Sequence, residues 1–127
     1  DVYDDVMDAD WVVMATPMFF MNVPAKMKAF IDRFQCFWSK KFVLEEPLRK
    51  DDRKHRGLVL AVGGTKGKSL FDGLNILMKV FFITIESEFD KDSSLYYRSV
   101  DAAGDIEKHE TALKDAAELG RKIVSGG

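Results

Sequence analysis

The sequence is poor in the residues on which most metal sites and nucleophilic sites depend. It holds one cysteine, Cys36, and two histidines, His55 and His109, among 127 residues. A single thiol cannot form an internal disulfide, and the three residues show neither a metal-ligand spacing nor a nucleophile–base pair. We therefore predict no catalytic side chain and no metal site. The lone cysteine favours a reducing compartment, so the predicted location is the cytoplasm.

A charge excess of one sign is also missing, as is any long apolar run. Nineteen Lys and Arg residues face 21 Asp and Glu residues, for a net charge of −2. This balance gives no reason to expect nucleic acid or an anionic membrane as the partner. No apolar run approaches the roughly 18 residues that span a bilayer. The length predicts one domain over residues 1–127. A domain of this size buries, on folding, roughly two-thirds of the surface that its unfolded chain exposes.

Residues 11–38 carry the pattern of a strand, a loop and a helix. Trp11 to Ala15 are apolar without alternation, which is typical of a parallel strand covered on both faces. Pro17 and Pro24 bound a loop. Helical spacing of apolar residues then predicts one helix from Ala25 to about Trp38, with Met27, Phe30, Ile31, Phe34 and Phe37 on its apolar face. In such a sheet, ligands bind beyond the carboxyl ends of the strands, where this loop lies.

A second strand is predicted at Gly57 to Val62, and a glycine-rich loop follows it. Ser69 then has the character of an N-cap for a helix that reaches Phe82. Gly67-Lys68-Ser69 matches the end of a nucleotide-binding phosphate loop. That motif requires four residues between its glycines, however, and only three separate Gly63 from Gly67. Two explanations for the glycines stay open: the backbone approaches a flat ring closely, or a tight turn requires positive φ.

The remaining segments complete an α/β pattern. Asp1 to Asp10 has the character of the end of a polar helix, although such a domain would be expected to begin with a strand. The charged run from Ser39 to Arg56 predicts an exposed connection, with His55 exposed in it. Ile83 to Phe89 and Leu95 to Val100 are candidate strands, and either could join the sheet. A terminal helix follows. The alternation predicts a mostly parallel sheet with right-handed crossovers.

Two of these stretches resemble a known family. Thr16-Pro17-Met18-Phe19-Phe20, followed by Lys28-Ala29-Phe30-Ile31-Asp32-Arg33, is similar to the signature of flavodoxin-like NAD(P)H-dependent FMN reductases. Many members show a small residue, Pro, an apolar residue, Tyr and another aromatic, then a Lys-x-x-x-Asp-Arg helix. This chain departs at Phe19, where Tyr is more usual. Gly104-Asp105-Ile106 resembles the family's entry to its terminal helix.

The resemblance implies a flavodoxin-like three-layer sandwich that lacks the first two strands and the phosphate loop, since in the family these precede the point that corresponds to Asp1. One subgroup of the family, the iron–sulfur flavoproteins, also carries a cysteine cluster upstream of that point. The implied function is an FMN-dependent oxidoreductase that takes hydride from NAD(P)H and passes electrons to a small-molecule or flavin acceptor. The alternatives are a flavodoxin-type electron carrier and a degenerate, non-enzymatic interaction module that binds no FMN.

By the same resemblance, two loops hold the flavin ring from opposite sides. The residues of the first are Thr16, Pro17, Met18, Phe19, Phe20, Met21 and Asn22, and those of the second are Gly63, Gly64, Thr65 and Lys66. The predicted partners are the flavin and the nicotinamide nucleotide. Several large aromatic residues on the helix near the first loop also favour a homodimer or a higher oligomer, because aromatic residues concentrate in the cores of interfaces.

Overall fold

A computed structural model describes residues 1–126 and contains a four-stranded, wholly parallel sheet. The strands are β1 (Trp11–Pro17), β2 (Arg56–Gly63), β3 (Glu88–Phe89) and β4 (Leu95–Arg98). β2 pairs with β1 along one edge, and with both β3 and β4 along the other. Both candidate strands in the second half of the chain therefore join the sheet, one after the other along β2. This confirms the predicted α/β class with a parallel sheet.

Among residues 1–126, five α-helices and one 3₁₀ turn surround this sheet. They are α1 (Val2–Asp8), α2 (Ala25–Asp32), α3 (Gln35–Phe42), α4 (Asp72–Thr84) and α5 (Ala112–Val124), with the 3₁₀ turn at Asp105–Lys108. Within the described residues, no helix combines the length and the apolar character that a membrane crossing requires.

The sheet lies between two unequal helical layers. Val12, Met14 and Thr16 point to one face of β1 and are buried, because α1 to α4 supply a continuous apolar cluster on that side. On the opposite face, which α5 covers only in part, Val13 and Ala15 stay exposed. An apolar cavity of about 370 Å³ opens there between the sheet and α5. The prediction that β1 is covered on both faces is therefore wrong, and its outer edge also has no partner strand within residues 1–126.

Aromatic rings form the centre of the larger layer. Phe34 is almost completely buried and packs edge-on against Phe81, with 5.3 Å between ring centroids, and against Tyr3 at 5.1 Å. Phe82 is fully buried and packs against Phe89 of β3. Pairs of this kind each contribute about 0.5–1.5 kcal/mol beyond the burial of apolar area. The cluster therefore joins α1, the segment between α2 and α3, α4 and the sheet.

The predicted helix from Ala25 to Trp38 is two helices in the structure. The N–H groups of Arg33 and Phe34 donate to carbonyls three residues earlier, at Phe30 and Ile31, which tightens the chain between α2 and α3. The break places the ring of Phe34 in the core. The chain then continues as α3 to Phe42, beyond the predicted end, so part of the predicted connection is helical.

Helix α4 is displaced from its predicted position between Ser69 and Phe82. Residues 68–71 form a turn, α4 begins at Asp72 with Phe71 at the N-cap position, and the Ser69 side chain makes no capping hydrogen bond within the described residues. At its other end the helix continues through Ile83 and Thr84, which were predicted to begin a strand. Phe81, Phe82 and Ile85 are all buried against the sheet, so tertiary packing outweighs the β-branched character of this segment.

The start of the terminal helix is also different from the prediction. Gly104-Asp105-Ile106 opens only a 3₁₀ turn, and α5 begins at Ala112. His109 lies between the two, where its Nδ1 atom accepts the main-chain N–H groups of Thr111 and Ala112 at 3.3 and 3.2 Å. This histidine therefore helps to begin α5.

His55 is buried, with 4% of its surface exposed, and not exposed as predicted. Its Nε2 atom lies 3.0 Å from Asp51 Oδ1, and its Nδ1 atom lies 2.7 Å from Ala9 O and 2.9 Å from Arg49 Nη1. Hydrogen bonds from His55 and Arg53 hold the pKa of the Asp51 carboxyl well below its usual range. The charged segment before β2 is thus tied to the amino end of the sheet.

Gly57 provides a test of this packing. A Cβ at this position would lie 2.1 Å from Phe82 Cε1, and that ring has no room to move because it is fully buried. We expect Gly57→Ala to lower the free energy of unfolding by about 1–3 kcal/mol, measured by urea denaturation.

Gly120→Ala is the matched control. Nothing lies within 4 Å of the corresponding Cβ position in α5. Removing a glycine from a helix interior should raise stability by about 0.5–1 kcal/mol. Equal stability of Gly57→Ala and the parent protein would contradict the packing described.

Candidate functional site

The two predicted loops lie side by side at the carboxyl edge of the sheet. The β1–β2 register pairs Pro17 with Val62, so the two strands end together. Immediately beyond, Met18 N–H donates to Val62 O at 2.8 Å, and Val100 N–H donates to Gly63 O at 3.1 Å. Met18 thus links the first loop to β2, and Val100 links the segment after β4 to the start of the second loop. This edge is where open α/β sheets bind their ligands.

The first loop ends in a four-residue turn, Phe19–Asn22, which we call the aromatic turn. Phe19 and Asn22 exchange main-chain hydrogen bonds of 2.8 and 3.1 Å. Between them, Phe20 and Met21 have φ angles of 49° and 63°. Both lie in the left-handed region, which costs a residue other than glycine roughly 1–2 kcal/mol. Two such residues in succession store strain at this point of the chain.

Burial in the core does not account for that strain. Phe20 is fully exposed, and Phe19 is 60% exposed. The turn therefore presents apolar surface to solvent in a conformation that is intrinsically unfavourable. Strained backbone of this kind concentrates at ligand-binding and switch sites. The combination of strain with exposed aromatic rings identifies the aromatic turn as the candidate contact surface.

In the structure the second loop extends beyond the predicted Gly63–Lys66 to Ser69, and its first two glycines, Gly63 and Gly64, allow close contacts within the protein. Neither Gly63 nor Gly64 has a positive φ, so the tight-turn explanation is wrong. A Cβ on Gly63 would lie 2.7 Å from Leu70 Cδ2, and one on Gly64 would lie 2.6 Å from Asp101 Oδ1. Gly63 thus allows the chain entering α4 to pack closely, and Gly64 allows the Asp101 carboxylate to approach the backbone.

Arg98, at the end of β4, fixes the orientation of the second loop. Its Nε atom donates to Gly67 O and its Nη2 atom donates to Lys68 O, both at 3.0 Å. The C=O and N–H groups of one peptide unit point in opposite directions because the unit is planar and trans. The N–H groups of Lys68 and Ser69 are consequently directed away from Arg98. The guanidinium also lies 5.1 Å from the centre of the Phe71 ring.

The Lys68 and Ser69 N–H groups are part of a longer row of main-chain donors along the second loop. Among residues 1–126, no hydrogen-bond acceptor faces the N–H groups of Thr65, Lys66, Gly67, Lys68 and Ser69. A run of unpaired N–H groups at the carboxyl ends of parallel strands suits an electron-rich ligand edge or an anion. The donors and the aromatic turn together offer one polar and one apolar surface.

The predicted site residues divide into buried and exposed groups. Thr16 is buried, and its Oγ1 atom donates to Pro17 O, so this hydroxyl is used inside the protein. Met18 is half-buried beside Gly63. The exposed members are Pro17, Phe19, Phe20, Met21, Asn22, Gly64, Thr65 and Lys66. The Asn22 side chain accepts the N–H of Val23 and thereby helps to end the turn.

Arg98 and Asp101 are the two residues that the sequence analysis did not identify. Arg98 is the last residue of β4 and Asp101 lies just beyond it, and the place of this strand in the sheet was left open. Had that strand been assigned to the sheet, the rule that ligands bind beyond the carboxyl ends would have drawn attention to them.

Strain in the aromatic turn can be tested directly. Replacing Met21 with Gly removes the steric cost of its φ of 63°, although glycine adds conformational entropy to the unfolded chain. We expect Met21→Gly to raise the free energy of unfolding by roughly 0.5–1 kcal/mol in urea denaturation without added ligand. Phe19→Gly is the control, because Phe19 lies in the same turn without a positive φ. An equal effect of the two substitutions would contradict the assignment of strain to Met21.

Solved structures with a flavodoxin-like fold match this chain. The Trp repressor binding protein of Bacillus subtilis is 25% identical, with a TM-score of 0.64 over 93% of this chain and 68% of its own. A flavone reductase is 18% identical, with a TM-score of 0.63 over 98% of this chain and 44% of its own. A WrbA-like flavodoxin from Agrobacterium tumefaciens is 14% identical, with a TM-score of 0.58 over 93% of this chain and 69% of its own.

These likenesses establish the fold, and the predicted flavodoxin-like architecture is confirmed. No curated protein matches the chain. The sequence model of the NADPH-dependent FMN reductases matches residues 1–89, which include β1, β2, α4 and both candidate loops. The chain therefore belongs to the NADPH-dependent FMN reductase family.

Proposed function

We propose that residues 1–127 form an FMN-binding domain of a cytoplasmic oxidoreductase, which takes hydride from NAD(P)H and passes electrons to a small-molecule or flavin acceptor. Membership of the family supports FMN and NAD(P)H as the cofactors, because the family uses FMN with NAD(P)H as reductant. The observation that carries the proposal is the pairing of a strained, exposed aromatic turn with a row of unpaired N–H groups at one edge of the sheet.

The residues at this edge fit a planar ring with one polar rim. Phe19, Phe20 and Met21 offer apolar surface against which a ring can stack. The N–H groups from Thr65 to Ser69 offer hydrogen bonds to the oxygen and nitrogen atoms of the rim. Bound FMN would supply the redox chemistry, accepting hydride and releasing electrons. The other face of the ring would stay open for the nicotinamide.

The protein's own contribution is electrostatic and positional. Main-chain dipoles fixed before the reaction stabilise negative charge that develops on a bound group, because they need no reorganisation when it forms. Arg98 binds the carbonyl groups of Gly67 and Lys68, which would keep these two acceptors from a bound flavin ring. The Asp101 carboxylate lies beside Gly64, where it can accept a hydrogen bond from an N–H on the rim.

Anaerobic spectroscopy tests the proposal. FMN is titrated into the purified protein, and NADH or NADPH is then added while the flavin absorbance near its long-wavelength maximum is followed. We expect saturable FMN binding, followed by bleaching by NADH or NADPH and recovery of the absorbance when an electron acceptor is added. Reduction only by a partner protein would support a flavodoxin-type carrier. Failure to bind FMN would support a module without redox activity.

Arg98 gives a more specific test of the second loop. Arg98→Gln removes the paired hold on Gly67 O and Lys68 O, so the N–H groups of the loop lose their fixed direction. We expect FMN affinity to fall about tenfold, equivalent to about 1.4 kcal/mol, measured by fluorescence titration. Arg121→Gln on the exposed side of α5 is the matched control and should leave affinity unchanged. Equal FMN affinities of the two variants would contradict a role of Arg98 in FMN binding.

A further inference from the structure

Asp101 carries an exposed carboxylate that has no partner in the described part of the protein. Among residues 1–126, no side chain and no main-chain N–H donates to it, and no cation pairs with it. It lies against the backbone of the second loop, because a Cβ on Gly64 would be 2.6 Å from its Oδ1 atom and 3.0 Å from its Cγ atom. A hydrogen-bond acceptor is therefore held beside the candidate site with its capacity unused.

The main chain around Asp101 is fixed on both sides. Val100 N–H donates to Gly63 O at 3.1 Å, which ties the segment to the end of β2. The N–H groups of Asp101 and Ala102 donate to Asp105 Oδ2 at 3.3 and 2.8 Å. The bond from Ala102 is the main cause that holds the pKa of the Asp105 carboxyl below its usual value. The place of the Asp101 carboxylate is thus set before a ligand binds.

The second loop consequently offers an acceptor followed by a row of donors. The carboxylate lies at Gly64, and the unpaired N–H groups begin at the next residue, Thr65. One edge of a flavin ring has two carbonyl groups with a single N–H group, at N3, between them. Main-chain donors can satisfy the two carbonyl groups but leave the N3–H group without a partner, which costs free energy. Asp101 is the acceptor that the row of donors lacks.

We propose that Asp101 determines ligand specificity at this site, because its carboxylate accepts a hydrogen bond from the N3–H group of the flavin ring. The inference rests on the proposed function and deepens it by stating which feature of the ring is recognised. A hydrogen bond to an ionised acceptor is roughly twice as strong as one between neutral groups. A ring without that N–H group leaves the carboxylate unpaired, so the site discriminates against it.

The charge of Asp101 has a second consequence for the same ligand. Reduced flavin is more negative than oxidised flavin, so a carboxylate beside the ring weakens binding of the reduced form. Asp101 is exposed, and solvent screens this repulsion. The carboxylate therefore opposes, in part, the stabilisation of negative charge by the main-chain dipoles of the loop, and it favours oxidised over reduced flavin by about threefold.

Fluorescence titration with FMN and with 3-methyl-FMN, which lacks the N3–H group, tests the hydrogen bond. We expect the parent protein to bind FMN at least 20-fold more tightly than 3-methyl-FMN. Asp101→Asn keeps an acceptor without the charge and should retain a preference of about fivefold. Asp101→Leu keeps the branched shape without an acceptor, and its preference should fall to about twofold or less.

Asp92→Leu is the matched control, because Asp92 is exposed on the turn before β4, at the other end of that strand. It should keep the preference of the parent protein. A preference in Asp101→Leu equal to that of the parent would overturn the inference. FMN binding by the parent with no preference over 3-methyl-FMN would overturn this inference alone, whereas failure of the parent to bind FMN would overturn the proposed function as well.

The reduction potential of bound FMN provides a readout that a purely structural role of Asp101 would not move. Asp101→Asn should strengthen binding of reduced relative to oxidised FMN about threefold. This raises the potential by about 14 mV, since a tenfold change corresponds to 29.6 mV for two electrons. A potential equal to that of the parent, or lower, would contradict the electrostatic effect of this carboxylate.

Discussion

The continuous parallel pairing of β1 with β2 is the constraint on which the rest of the structure depends. Its register carries both strands to the same edge, where Pro17 lies opposite Val62 and Met18 N–H continues the ladder. A shift by one residue would turn Val12 and Met14 away from the aromatic core, because side chains alternate between the two faces of a strand. The same pairing therefore fixes the core and brings the aromatic turn beside the second loop.

The two ends of the sheet have different physical characters. At the amino end, buried His55 lies within hydrogen-bond distance of Ala9 O, just after α1, and the Arg49 side chain donates to Ile85 O, just after α4. At the carboxyl end, the chain leaves N–H groups unpaired and holds two residues in the left-handed region with their side chains exposed. The amino end of the sheet is thus fixed by hydrogen bonds within the protein, whereas the carboxyl end offers exposed aromatic rings and main-chain N–H groups to a ligand.

The sequence predicts the fold class and the strands β1 and β2 because apolar runs of β-type residues between turn signals are strong local patterns. It predicts the helix ends poorly. Phe34 interrupts one helix to reach the core, and burial of Phe81 and Phe82 extends another into a segment with strand character. Position 64 requires glycine because the Asp101 carboxylate lies against the backbone there, and that contact depends on the position of β4. Such pairings between distant residues leave no periodic signal in the chain.

Amide chemical shifts during FMN titration test the central claim most directly, because they report the site residue by residue. We expect the amide resonances of Phe20, Met21 and Thr65 to Ser69 to shift together and to saturate at one affinity. The amide resonances around His55 and along α5 should stay unchanged. Shifts confined to the face between the sheet and α5, or no shifts at saturating FMN, would contradict the claim that this edge of the sheet binds the flavin.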